Sequence, residues 1–262
     1  MTSIAIYSLS RSGSTLLNYM LCESLEGCTN FFEPKSCPPE SELVGNVVAK
    51  IVLDTHDSQV DATSFERFSK HICLTRDPRD RVISSLLFGL HGRNDSEFQR
   101  ALECLHQKES QPSHYSFKQL VIDLNPGLTQ EQLTQVLRDS QSALNRVRCH
   151  LPTAFVMTYE RLIAGQFAAL ENYLGIELNR NYVIPERHRY GKRATQIEQW
   201  KHWFTEEDVR FFKGVFELDN DIQRWDWKLS NEPFIESAHC SEFVINARKS
   251  KRHFEAQNIF WS

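Results

Sequence analysis

No run in this 262-residue chain approaches the roughly 18 consecutive apolar residues that a membrane span needs. Nor is there an excess of positive charge. The 30 Lys and Arg against 34 Asp and Glu leave a formal net charge of −4, which speaks against a dedicated nucleic-acid binder. The seven cysteines include no C-x-x-C pair and no His–Cys cluster at zinc-finger spacing. A disulfide scaffold and a zinc module are thereby set aside, and buried, reduced thiols are expected. The first apolar run starts at Ile4, which leaves no room for a signal peptide, so a cytoplasmic chain with no membrane partner is expected. What remains is ordinary globular composition, 40% hydrophobic and 24% charged.

A Walker-type P-loop is missing as well. The apolar run Ile4–Leu9 leads into Ser10-Arg11-Ser12-Gly13-Ser14-Thr15 and then into Leu16–Leu21 at helical spacing. In the G-x-x-x-x-G-K-[ST] register, Ser8 stands at the first Gly and Ser14 at the Lys. A γ-phosphate would lose its usual clamp. The pattern still reads as strand, tight turn and helix N-terminus, where unpaired N–H groups and the helix dipole attract an anion. Gly13 permits close backbone approach, Ser12, Ser14 and Thr15 add hydroxyls, and Arg11 adds a charge.

Two further segments carry charge at strand or helix ends. His71–Thr75 reads as a strand, followed by Arg76-Asp77-Pro78-Arg79-Asp80-Arg81 with Pro78 suited to a first helical turn and Ser84 eight residues after Arg76. A strand end and the next helix can face one ligand at the carboxyl edge of a parallel sheet. Lys192 and Arg193 precede the run Trp200–Thr205. Other strands are expected at 46–53 and 154–158, and helices at about 14–25, 79–90 and 209–216. An amphipathic helix from Thr129 carries Leu133, Val136, Leu137, Leu144 and Val147. Residues 91–127 read as polar and irregular, with a helical patch at 98–105. Alternating strands and helices imply an α/β fold, a P-loop-like parallel sheet with helices on both faces.

These blocks resemble the PAPS (3′-phosphoadenylyl sulfate)-dependent sulfotransferases. Ser10–Thr15 is similar to the family's 5′-phosphosulfate loop, and Arg76 with Ser84 to its 3′-phosphate pair. Arg193, seven residues before Trp200, is similar to the late Arg of R-K-G-x-x-x-x-W-K, with Ala194 and Thr195 replacing Lys and Gly and Lys192 able to restore the charge. Tyr159-Glu160-Arg161-Leu162 resembles Y-E-D-L, and Tyr173-Leu174-Gly175-Ile176 resembles F-L-G-I. The resemblance implies one sulfotransferase domain over residues 1–262, of which about 228–262 is an extension. The basic run at 248–252 in that extension reads as a solvated helix face or a cap on the site. PAPS is implied as co-substrate and PAP (3′-phosphoadenosine 5′-phosphate) as product, held by Ser10, Arg11, Ser12, Gly13, Ser14, Thr15, Arg76, Ser84, Tyr159, Lys192 and Arg193. No metal is implied, and a homodimer is allowed.

The reaction would move a sulfuryl group to a hydroxyl or amine of a small-molecule or glycan acceptor, with Arg11 stabilising charge on the leaving group. Two residues compete for the base. Glu33, in Phe31-Phe32-Glu33-Pro34, resembles the F-x-E-P segment of glycan and bacterial members, and its aromatic neighbours would desolvate it. His56 resembles the base of the K-T-H segment in cytosolic members, with Asp54 standing at the Lys. Lys50, in the strand Asn46–Leu53, resembles a Lys that relatives place near the transferred sulfate, and within an apolar strand it needs an anionic partner or a route to water. The acceptor loops would be about 31–45 and 91–127. Two rival readings stay open: a nucleotide-dependent kinase on the same scaffold, and a silent PAP- or anion-binding module.

Overall fold

Strand β1 (Ser3–Ser8) is central because it is buried on both faces. Ile4 and Ile6 point into one apolar cluster, Ala5 and Tyr7 into another, as the period of a strand dictates. The computed structural model describes residues 1–54, 61–90, 92–188, 197–217, 227, 241–242 and 244–249, and the chain divides into two compact units.

The first unit comprises residues 1–76 and 139–185. After β1 come helix α1 (Ser14–Ser24), β2 (Thr29–Phe32), β3 (Val47–Val52) and β4 (Lys70–Thr75). Residues 139–150 belong to a helix described below; they lead into β5 (Phe155–Thr158). All pairings are parallel and the order is β2-β3-β1-β4-β5. Two-face burial explains the near-continuous apolar character of β1, β3 and β4. One face packs against Leu17, Met20 and Leu21 of α1 and against Leu162, Leu170 and Leu174; the other packs against Phe65, Phe68, Leu144 and Val147. Helices thus cover both faces, as the alternating pattern implies. β2 escapes the sequence reading, since Thr29-Asn30-Phe31-Phe32 is a short edge segment with no buried position.

The second unit comprises residues 77–138 and the described residues from Glu186 onward. It holds α2 (Pro78–Leu90), α3 (Asp95–Ser110) and α4 (Phe117–Leu124), and α5 (Gln130–His150) passes from it into the first unit. The stretch 91–127 is therefore mostly helical, not irregular. Asn94 with Glu97 forms a capping box on α3, Ser116 caps α4, and Phe98, Ala101, Leu105, Phe117 and Leu120 are buried. On α5, Leu133 and Leu137 are buried, but Val136 is 53% exposed, one residue off the apolar stripe.

The charged start of α2 is not solvated. Arg79, Asp80 and Arg81 are buried; Arg79 Nη2 lies 2.6 Å from Asp77 Oδ2, and its guanidinium stacks 4.0 Å over Trp200. Asp80 Oδ1 accepts the Trp200 N–H at 3.0 Å, at the start of α8. That helix (α8, Trp200–Trp203) precedes α9 (Glu206–Phe216), between which Thr205 forms a capping box with Asp208. The C-terminal segment is also packed in. Val244 and Ala247 are buried, Ser241 bonds to Glu109, and Arg248 is 8% exposed over the Phe98 ring with Asp95 as ion partner. At Arg248, then, the basic run is not a solvated face, whereas Lys249 is exposed; residues 250–252 lie outside the described residues. Among the described cysteines only Cys73 is buried, and Cys149 is exposed; the expectation of buried thiols therefore holds at one position. Among the described residues no helix is long and apolar enough to cross a membrane.

Candidate active site

Each strand of the sheet delivers a polar group at or near its carboxyl end, where a parallel sheet opens to ligands. The loop after β1 carries Ser10–Gly13, β2 is followed by Glu33, β3 holds Lys50 and leads to Asp54, β4 is followed by Arg76, and Tyr159 opens α6 (Tyr159–Ile163) after β5. α7 (Ala168–Leu174) then packs beneath the same face as α1.

The loop is a strained turn. Arg11 lies in the left-handed region at φ 66, as does Gly13 at φ 89. Gly13 is the N-cap of α1, its carbonyl accepting the Leu16 N–H at 3.0 Å and the Leu17 N–H at 3.3 Å. No side chain caps α1 and no acidic residue sits in its first turn, so its early N–H groups retain their capacity for an anion. Ser12 and Ser14 are buried.

Lys50 is the centre of the site. It is 3% exposed, and β3 aims it to the α1 side of the sheet. Its Nζ donates to Thr15 Oγ1 at 3.0 Å, forms an ion pair with Glu33, and lies 4.0 Å over the Phe32 ring. The anionic partner that an apolar strand demands of a Lys is Glu33. Glu33 itself adopts φ 56, with its N–H bonded to the Lys50 carbonyl at 2.9 Å. Its side chain is 45% exposed, so the desolvation expected from Phe31 and Phe32 is not what surrounds it; the lysine is.

Arg76 is 6% exposed, stacks 4.3 Å over the Tyr159 ring and donates from Nη1 to the Arg11 carbonyl at 3.0 Å. Its Nε is buried without a hydrogen-bond partner among the described residues. Tyr159 is buried against Gly13. Ser10 is engaged within the protein, since its N–H and hydroxyl both bond to Asp54 at 2.6 and 2.9 Å. In the sequence Asp54 reads only as a replacement for the Lys of K-T-H. Its contact with Ser10 bridges 44 positions of chain, which no local pattern reveals. Ser84 is half-buried on α2 in the second unit. His56, Lys192 and Arg193 lie outside the described residues.

No family model and no curated protein matches the chain. Among solved structures it is similar to mouse sulfotransferase SULT7A1 complexed with PAP, at 15% identity over 86% of each chain and a TM-score of 0.52. It is also similar to a retinol dehydratase in complex with androsterone and inactive cofactor PAP, at 15% identity over 83% of this chain and 81% of that one, with a TM-score of 0.38. At such identity the likeness to the mouse protein speaks of architecture: this chain has the sulfotransferase fold.

Proposed function

We propose that the chain transfers a sulfuryl group from PAPS to a hydroxyl, or amine, of a small-molecule or glycan acceptor and releases PAP. The observation that carries this reading is the position of Lys50, whose buried ammonium joins the candidate base Glu33 to Thr15 of the anion loop. The mouse structure that shares the fold is complexed with PAP, and the residues here fit such a ligand. The uncapped start of α1 suits an anion, and the unpartnered buried Nε of Arg76 calls for an acceptor.

In this reading the α1 N–H groups and Arg11 hold the 5′-phosphosulfate, while Arg76, Ser84 and Arg193 serve the 3′-phosphate. The donor supplies the sulfuryl group. The acceptor oxygen bonds to sulfur as the bond from sulfur to the bridging oxygen breaks, and Glu33 takes the acceptor proton. Positioned charges carry most of such a transfer, as in phosphoryl transfer. Lys50 offsets negative charge on the sulfuryl oxygens at the moment Glu33 is neutralised by its proton, so the ammonium always has an anionic neighbour.

The test is calorimetry with PAP, 5′-AMP and ATP, together with transfer of labelled sulfate from PAPS to pooled acceptors. Preference for PAP with transfer supports the reading. Preference for ATP points to the kinase, and PAP binding without transfer to any acceptor points to a silent binding module.

A further inference from the structure

Asp54 has the wrong sign of charge for a neighbour of an anion loop, because a bound anion there meets its Coulomb repulsion. Its carboxylate is nevertheless committed to the loop: Oδ1 accepts the Ser10 N–H at 2.6 Å and Oδ2 accepts the Ser10 hydroxyl at 2.9 Å. Charge-assisted bonds of this kind are among the stronger ones in proteins. The next residue, Arg11, sits at φ 66, a conformation that costs an L-residue energy and persists where the surroundings over-determine it. Arg11 is held from both sides, through Ser10 by Asp54 and through its own carbonyl by Arg76 Nη1 at 3.0 Å. Together with Thr15, bonded to Lys50, the loop is braced from β3 and β4, the two strands that flank β1.

We propose that Asp54 is a positioning residue for the transfer reaction. By gripping Ser10 it fixes the left-handed turn at Arg11, so the N–H groups that follow are aimed before the donor arrives. The proposal rests on the sulfotransferase reading in taking the 5′-phosphosulfate as the ligand. It also gives Ser10 a different part from the one its motif implies: with its N–H and hydroxyl given to Asp54, Ser10 supports the loop and leaves the donor to residues 11–15. Preorganised geometry shows itself in the rate at saturating donor more than in ground-state affinity.

Asp54→Ala deletes both bonds. Asp54→Asn can keep them, its amide oxygen accepting the Ser10 N–H and its amide N–H donating to Ser10 Oγ, while removing the charge. In the full-length protein with PAPS saturating, Asp54→Ala is expected to lower kcat by roughly ten- to a hundredfold. Asp54→Asn is expected to restore it to within about threefold of the parent and to bind PAP more tightly. Amide exchange over residues 10–13, followed by mass spectrometry without donor, should be faster in Asp54→Ala than in the parent or Asp54→Asn. Should Asp54→Ala fail to fold, Ser10→Ala, which loses only the hydroxyl bond, should change kcat and exchange in the same direction by a smaller amount. An active parent beside an equally active Asp54→Ala overturns the proposal, and so does an Asp54→Asn as slow as Asp54→Ala. A parent that neither binds PAP nor transfers sulfate overturns instead the sulfotransferase reading and, with it, the role in transfer.

Discussion

The ring of Tyr159 occupies the space that a β-carbon on Gly13 would need: Tyr159 Cδ2 would lie 2.6 Å from it, and a methyl of Leu162 3.3 Å. Gly13 also has φ 89, so any side chain there is opposed by backbone strain and by a buried aromatic together. The close approach seats the loop against α6. Gly13→Ala is expected to cost about 1–3 kcal/mol of stability and to weaken PAP binding by roughly tenfold or more. Thermal unfolding and calorimetry check the two effects separately.

Arg76 has two candidate duties, gripping the 3′-phosphate and bracing the Arg11 carbonyl. A charge-assisted bond to phosphate is worth roughly 1.5–3 kcal/mol, so Arg76→Ala should cost at least about tenfold in PAP affinity. The second measurement is 5′-AMP, which lacks the 3′-phosphate. Affinity lost for PAP alone identifies the phosphate contact; equal loss for both ligands identifies the brace. Arg76→Lys should not restore binding, because an ammonium cannot reproduce the fork or the stack on Tyr159.

Glu33→Gln preserves size while removing the basic oxygen. Turnover is expected to fall by roughly a hundredfold or more with PAP affinity nearly unchanged, and His56→Ala is expected to be milder. Parallel measurements of turnover and PAP affinity in both variants check this. A fully active Glu33→Gln beside an inactive His56→Ala would assign the base to His56.

Asp208 joins the starts of two helices in the second unit. It is fully buried and accepts N–H groups from Phe117 at 2.7 Å, Lys118 at 2.8 Å and Thr205 at 2.8 Å, and the Thr205 hydroxyl at 3.0 Å. Asp208→Ala strands several buried donors at once and is expected to cost about 3 kcal/mol or more. Urea unfolding monitored by circular dichroism measures it.

His71 is buried, with Nδ1 3.3 Å from the Tyr7 hydroxyl. Burial holds its imidazole below the ordinary 6.5. The unfolded chain therefore takes up this proton first, and folding stability falls as pH drops through about 6.5 and below, with no contribution above it. His71→Phe should reduce the drop in urea midpoint between about pH 7 and pH 5.5 relative to the parent. An identical drop in both proteins would show that other groups carry it.

The strand, turn and helix at residues 4–21 were legible in the sequence because their signals are local: an apolar run, a Gly between hydroxyl residues and a helical period. The same holds for β3, β4 and the capping box at Thr205. α3 and α4 have local caps too, at Asn94 and Ser116, yet their polar exposed faces obscure them among Pro and Gly.

The sequence alone determined that a parallel sheet would present a glycine-containing turn and a helix start beside charged residues. Tertiary structure decided how those charges are spent. Lys50 meets Glu33 across 17 positions, Thr15 across 35, and Ser10 meets Asp54 across 44; Asp80 meets Trp200 across 120. Such partners become neighbours only when strands adjacent in space, though distant in the chain, align their carboxyl ends or when helices pack. A charge that looks solvated in the sequence is then buried because its counter-group has been brought to it, and the cost of desolvation is met by hydrogen bonds that no local pattern encodes.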